Sequence, residues 1–253
     1  MTEQAYLMDS TVRRFEATVE RSLTDPPRVV LDRTHFYPEG GGQPSDRGVL
    51  AANGHRVSVR DVQKRDTVYH ELDGTPPEPG TRVTGEVDWA RREVHMRYHT
   101  AQHLLSALLL DEYDAPTRGN QLYDDRARID VEHDRFDDDA LAAIERRMNE
   151  LVADSRPVRW YTMDRDEAES RLDTDRTRID LLPASIDELR IVEIGAPDGG
   201  TGGAVDGPSG GETYDRTACA GTHVGNTELV GTVVVTDRET GGSGRERLHF
   251  ELR

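Results

Sequence analysis

Apolar and polar positions alternate with a period of two in several short runs near the start of the chain. Phe15-Glu-Ala-Thr-Val-Glu20 and His55-Arg-Val-Ser-Val-Arg60 alternate, and Arg28–Leu31, Thr67–Leu72 and Arg82–Val87 are rich in β-branched and aromatic residues. Turn clusters such as Asp73-Gly-Thr-Pro-Pro77 separate them. Short strands joined by polar turns predict a small β-barrel-like domain over residues 1–88. The texture changes at Asp88-Trp-Ala-Arg-Arg92, where apolar residues begin to recur at helical spacing. Leu104, Leu105, Leu108 and Leu109 cover one face of a predicted helix that ends by Tyr113 to Pro116.

Residues 89–253 read as an α+β domain. Gly119-Asn-Gln-Leu122 reads as a turn and Ala127–Val131 as a strand. Asp137 supplies an N-cap, and Leu141, Ile144, Met148, Leu151 and Val152 follow at helical spacing. Arg165–Leu172 is a second, shorter helix, and Leu189–Ile194, Leu229–Thr236 and Arg247–Leu252 are strands. The Gly-, Asp-, Ser- and Pro-rich span 196–212 reads as a flexible surface insertion.

Composition narrows the class. One cysteine excludes a disulfide framework. Met1 to Arg14 carries Glu3, Asp9, Arg13 and Arg14 without the apolar core of a signal peptide, and Leu104–Leu110 is too short to span a bilayer. A protein of the cytoplasm, without a membrane partner, is expected. The net charge of −17 ordinarily argues against a polyanionic partner. However, Lys64 is the only lysine among 32 basic residues, so an acidic, lysine-poor surface suits a salt-rich cytoplasm. At molar salt the Debye length is about 3 Å, and global charge then no longer selects partners.

The chemistry sits in two i, i+4 pairs. His99 and His103 lie about one turn apart on one helical face, and Cys219 and His223 repeat that offset downstream. Three imidazoles and a thiolate are a donor set for tetrahedral zinc, one ion per chain. His95 shares the stripe of His99 and His103, so spacing alone leaves it open as a ligand. A zincin protease is excluded, because Thr100 stands where such an enzyme needs glutamate. Glu39-Gly-Gly-Gly-Gln-Pro-Ser-Asp46 is neither a Walker A loop nor a dinucleotide fingerprint, so no nucleotide cofactor is expected. Its glycines suit positive φ, a tight turn or the docking of a phosphate.

Three motifs together carry a family resemblance. His-Thr-Ala-Gln-His-Leu-Leu at 99–105 and Asp215 to Cys219 followed by Ala-Gly-Thr-His-Val224 resemble the two halves of the alanyl-tRNA synthetase editing domain. Phe36-Tyr-Pro-Glu-Gly-Gly-Gly-Gln-Pro-Ser-Asp-Arg-Gly48 resembles the glycine motif of the larger type of AlaX, the free-standing editing proteins. The resemblance implies a zinc-dependent deacylase that hydrolyses Ser-tRNA(Ala), and also Gly-tRNA(Ala), with tRNA for alanine as partner. It implies zinc on His99, His103, Cys219 and His223, leaving His95 out. It implies catalytic roles for Gln102, Thr117 and Gln121 and a substrate contact at Gly119. The turn at Gly41, Gly42 and Gln43 is a candidate tRNA contact through bare backbone N–H groups, and Arg97 and Arg128 are candidate tRNA contacts through their guanidinium groups. Arg91, Arg92 and Arg126 are further candidates for phosphate contacts, since arginine matches phosphate bidentately. The rival readings are a non-catalytic zinc-stabilised tRNA-binding module and a deacylase for Ser-tRNA(Thr).

The charge pattern makes one prediction. Carboxylates in excess repel over a Debye length of about 30 Å at 0.01 M salt, so the melting temperature should rise steadily from dilute buffer to molar salt. Equal or greater stability in dilute buffer would contradict an adaptation to salt.

Overall fold

The computed structural model describes residues 1–173, 176, 177, 179, 186–197, 200–242 and 244–253. The chain forms two compact units, residues 1–95 and 96–253. The boundary expected at 88/89 lies just before a long helix, whereas the compact units divide inside that helix.

The first unit contains β1 (Glu3–Gln4), β2 (Arg14–Thr24), β3 (Pro27–Leu31), β4 (Arg33–Thr34), β5 (Gly48–Ala52), β6 (His55–Lys64), β7 (Val68–Asp73) and β8 (Arg82–Val87). Strands β2-β3-β7-β6-β5-β8 close into a barrel, and β1 pairs with β4 in parallel. Alternation sends Phe15, Val19, Val29, Leu31, Leu50, Val59, Val62 and Val83 inward, where they bury together with Phe36. Closure leaves these strands without a free edge. Strand β5 was not anticipated, although Asn53 and Gly54, both at positive φ (51° and 79°), form the tight turn that joins it to β6.

The glycine motif is a hairpin turn within this unit. Gly40 and Gln43 exchange backbone hydrogen bonds (3.1 and 2.9 Å) around Gly41 and Gly42, whose φ values are +58° and +81°. Positive φ at both central positions is the requirement of a type I′ turn. Gln43 is fully buried, while the glycine tip reaches solvent. Just beyond it, Asp46 meets Arg92 in an ion pair whose side chains are both fully buried. Arg92 also donates to the carbonyls of Ser10 (2.8 Å) and His35 (2.6 Å), and Asp46 accepts from the Tyr37 N–H (2.6 Å). Read from sequence as a phosphate contact, Arg92 instead has its donors engaged inside the protein. Arg91 donates from Nε to the Ser45 carbonyl (3.1 Å).

Helix α1 (Trp89–Tyr113) leads into β9 (Thr117–Leu122), β10 (Ala127–Val131), α2 (Asp138–Ala153), β11 (Val158–Asp164), α3 (Arg165–Arg171), β12 (Glu188–Gly195), β13 (Gly203–Ala204), β14 (Thr213–Ala218), β15 (Val233–Thr240) and β16 (Glu246–Leu252). Among the described residues these strands form two four-stranded sheets, β15-β16-β10-β9 and β13-β11-β12-β14. Leu104, Leu105, Leu108 and Leu109 of α1 are fully buried, and the Tyr98 ring meets Phe250 of β16 at 5.9 Å. Asp137 caps α2 by accepting from the Ala140 N–H (2.8 Å), as its sequence position predicts.

Several expectations need correction. Gly119–Leu122 is not a turn: it pairs antiparallel with β10, so cross-strand pairing overrides the low β-propensity of Gly119 and Asn120. The strand expected at Leu229–Thr236 begins at Val233, after a 3-10 turn at Thr227–Val230. Strands β11 and β14 were not anticipated. In the span 196–212, residues 198 and 199 lie outside the described residues, and Gly203–Ala204 pairs in parallel with β11. Among the described residues, no helix is long and apolar enough to cross a membrane.

The barrel gives a graded prediction. A Cβ at Gly48 would sit 2.1 Å from the Glu86 carbonyl oxygen, whereas at Gly41 it would meet nothing within 4 Å. Gly48→Ala should therefore cost about 2 kcal/mol or more through overpacking, and Gly41→Ala only about 1 kcal/mol through its left-handed backbone. Urea unfolding of the two variants measures the order.

Candidate metal centre

The site is built by one helix and one strand end. Helix α1 carries His99 and His103 with ring centroids 5.2 Å apart. Strand β14 delivers Cys219, whose N–H donates to the Arg190 carbonyl (3.0 Å) one step past the ladder with β12. The chain then turns, with the Gly221 N–H donating to Cys219 Sγ (3.3 Å), and returns His223 toward α1. The His223 ring lies 4.4 Å from that of His99 and 4.7 Å from that of His103. One donor atom from each of the four residues falls within 4.8 Å of the others, an arrangement that could hold a metal ion. Cys219 Sγ is 3.5 Å from His99 Nε2 and 3.4 Å from His223 Nε2. His95, fully buried one turn earlier on α1, is outside this group.

The remote ring nitrogens are held by oxygens. His103 Nδ1 lies 3.0 Å from Asp215 Oδ2, and His223 Nδ1 lies 3.2 Å from Thr100 Oγ1. With each Nδ1–H donating outward, both Nε2 lone pairs face the common point. Arg190 steadies the turn from beneath, donating from Nη1 to the carbonyls of Cys219 (2.8 Å) and Gly221 (2.9 Å). Its guanidinium also lies 5.1 Å from the centroid of the Trp160 ring.

Charge alternates through the cluster. Burial pushes the Cys219 thiol up, but the charges of His99 and His103 outweigh it and hold the thiol well below its ordinary value. Burial likewise pushes His103 down, yet the Cys219 thiolate and Asp215 raise it to about 9. His223 is lowered well below its usual value by burial and by the charge of His99. The Asp215 carboxylate resists the upward push of burial because Arg176 and His103 hold it down.

The other expected residues are placed unequally. Gln102 lies about 60° around α1 from His99, at about 100° per residue. It is only 6% exposed, and its amide has no hydrogen-bond partner among the described residues. Thr117 opens β9 opposite Val131, which is buried on the face turned to α1. Its Oγ1 lies 2.5 Å from Ser106 Oγ of α1. Gly119 and Gln121 stand opposite Asp130 and Arg128, on the other face of the hairpin. There Arg128 and Arg247 share the Asp130 carboxylate, and Gln121 Nε2 donates to the Leu122 carbonyl (3.1 Å). Arg97 donates from Nε to the Val230 carbonyl (2.9 Å), and Arg126 pairs with Asp125 over the Tyr123 ring. Gly41, Gly42 and Gln43 belong to residues 1–95.

Sequence reasoning missed Arg176, Ser106, Thr100 and Arg190, and it quoted Asp215 only as part of a motif. Asp215 had a weak signal, since it shares a strand face with Thr217 just before the cysteine. Arg176 had none, lying 39 residues before the carboxylate it binds.

The chain is similar to known proteins along its length. Residues 5–91 match the family described as tRNA synthetases class II (A), and residues 189–249 match the threonyl and alanyl tRNA synthetase second additional domain. The chain is 39% identical over 259 residues to the alanyl-tRNA editing protein AlaX-M of Methanosarcina barkeri, covering 100% of this chain and 99% of that one. The corresponding protein of Methanosarcina acetivorans is 37% identical over 261 residues, with 100% and 99% covered. The alanine–tRNA ligase of Pyrococcus abyssi is 37% identical over 254 residues, which span 98% of this chain but 26% of the ligase.

The cluster predicts metal content directly. Elemental analysis should find one divalent ion per chain, absent from a His99→Ala, Cys219→Ala double variant and retained in His95→Ala. Retention by the double variant would refute the four-ligand assignment.

Proposed function

Because the chain belongs to the family of free-standing AlaX-M alanyl-tRNA editing proteins, we propose that it hydrolyses the ester joining serine, and also glycine, to the 3′ end of tRNA for alanine. One observation carries the reading. His99, His103, Cys219 and His223 converge on one point, in a chain matched end to end by editing proteins.

The donors fit zinc. A tetrahedral ion with nitrogen about 2.05 Å and sulfur about 2.3 Å away separates nitrogen from sulfur by about 3.6 Å, close to the 3.5 and 3.4 Å found here. When bound, zinc would supply Lewis acidity toward an ester oxygen or a water. Four protein donors fill a tetrahedron, so positioning of the reactants falls on neighbouring side chains. Gln102, whose amide has no partner among the described residues, is suited to hold the attacking water or the ester carbonyl. Thr117 offers a hydroxyl to the aminoacyl group. Gln121, Gly119 and Arg128 share the far face of the β9–β10 hairpin, so we assign them to the tRNA rather than to the reacting ester.

The need for such an enzyme follows from pocket physics. A synthetic site shaped for alanine cannot strongly reject glycine, which is smaller, or serine, which adds one hydroxyl, so a second, hydrolytic site must discriminate. Gly41 and Gly42 form the tip of a turn closed by the buried Gln43, and we assign that tip, not the Gln43 side chain, to tRNA selection. An aminoacylated tRNA substrate supports assigning the enzyme to the cytoplasm.

The test follows the aminoacyl ester on Ser-, Gly- and Ala-charged tRNA for alanine, with Ser-tRNA(Thr) as a fourth substrate. The first two should be hydrolysed and the last two spared. Gln102→Ala should lower kcat/KM by about 10²-fold, the scale of losing one positioned hydrogen bond in a transition state. A protein that binds these tRNAs and releases no amino acid would establish the non-catalytic module instead.

A further inference from the structure

One guanidinium touches three parts of the site. Arg176 gives Nε and Nη2 to the two carboxylate oxygens of Asp215, each at 2.8 Å. Nη2 also reaches the His103 carbonyl (3.2 Å), and Nη1 reaches Ser106 Oγ (2.9 Å). Beyond these first partners stand two groups already placed in the site. Asp215 Oδ2 holds His103 Nδ1 at 3.0 Å, and Ser106 Oγ lies 2.5 Å from Thr117 Oγ1. The side chains of Arg176 and Asp215 are 13% and 1% exposed, so water competes little for these bonds.

Two of these directions follow from what the groups can do. A guanidinium only donates, so Ser106 Oγ accepts from Arg176. Either hydroxyl can donate in the bond between Ser106 and Thr117, and in both cases Arg176 fixes the place of Ser106 Oγ against Thr117 Oγ1. An ionised carboxylate only accepts, so Asp215 takes the proton of His103 Nδ1 and leaves the Nε2 lone pair for the metal cluster. Lysine could not reproduce this, since a single ammonium lacks the planar fork that spans both oxygens of Asp215 and Ser106 at once.

We propose that Arg176 is a positioning residue of the editing site, locking the metal ligand His103 through Asp215 and the hydroxyl of Thr117 through Ser106. The inference deepens the hydrolase reading above and rests on it for the Thr117 arm. A purely structural ion pair would change thermal stability alone. A positioning role couples Arg176 to two separate readouts.

The experiment uses the full chain and four variants: Arg176→Ala, Arg176→Lys, Ser106→Ala and the Arg176→Ala, Ser106→Ala pair. Circular dichroism first establishes that each is folded. Zinc affinity is read by chelator competition, and kcat and KM on Ser-tRNA(Ala) are read at saturating zinc. Both Arg176 variants should weaken zinc about 10- to 100-fold. Ser106→Ala should leave zinc affinity within about threefold and lower kcat about tenfold, the equivalent of one hydrogen bond. The double variant should lose no more kcat than Arg176→Ala alone, because without Arg176 the Ser106 hydroxyl has already lost the partner that holds it against Thr117. Zinc affinity unchanged in both Arg176 variants, or losses in kcat that simply multiply, would overturn the proposal. If Arg176→Ala does not fold, Arg176→Lys takes its place in the cycle. A wild-type protein that binds zinc and hydrolyses no ester defeats the editing reading instead, and the zinc measurements then decide the His103 arm by themselves.

Discussion

The second unit depends on gathering a half-buried thiol, Cys219, against three imidazoles whose residues are buried. An isolated buried charge costs several kcal/mol even after relaxation, so it persists only with opposite charge and hydrogen bonds around it. Cys219 has both. Two histidines face its sulfur, the Gly221 N–H donates to it, and Arg190 holds the carbonyls of the same turn. The alternation continues outward through His103, Asp215 and Arg176, so no member of the series is left uncompensated. His103 lies on a helix whose Leu104, Leu105, Leu108 and Leu109 are fully buried, and Asp215 on a strand held against β12, which is itself buried along nearly its whole length.

How much of this was legible depends on the range of the interaction. His99 and His103 could be read because helical geometry is local and fixes which residues share a face. Cys219 and His223 could be read because a lone cysteine at the same offset is rare enough to count. The barrel was legible from alternation at Phe15–Glu20 and His55–Arg60. Strand β5 escaped, although Asn53-Gly54 is a strong hairpin signal, because the run Gly48–Ala52 has no polar alternation to mark it. Gly119 and Asn120 suggested a turn, and pairing with β10 made them a strand, which tertiary context decides.

The remainder was illegible for a physical reason. Arg176, Ser106 and Thr100 matter through side chains that meet them from distant parts of the chain, and no periodicity encodes such meetings. Arginine is common in this sequence, and several of its arginines sit in exposed pairs such as Arg21 with Asp66 or Arg60 with Asp73. Exposed pairs contribute little, with a median of about 0–1 kcal/mol. Only the fold distinguishes them from Arg92 and Arg176, whose guanidinium groups organise what surrounds them.

The separation of the donors along the chain has a consequence for assembly. His99 and Cys219 are 120 residues apart, and the donors of each pair are nearly adjacent. Bringing ends that distant together costs about 4 kcal/mol of loop entropy beyond a constant. The cost falls on forming the complete quartet, since each half is preset by its own helix or turn. A ribosome releases the first half long before the second, so the nascent chain passes through a stage with two imidazoles and no thiolate. The quartet therefore closes only after the turn that carries Cys219 and His223 has been made and β14 has docked on β12.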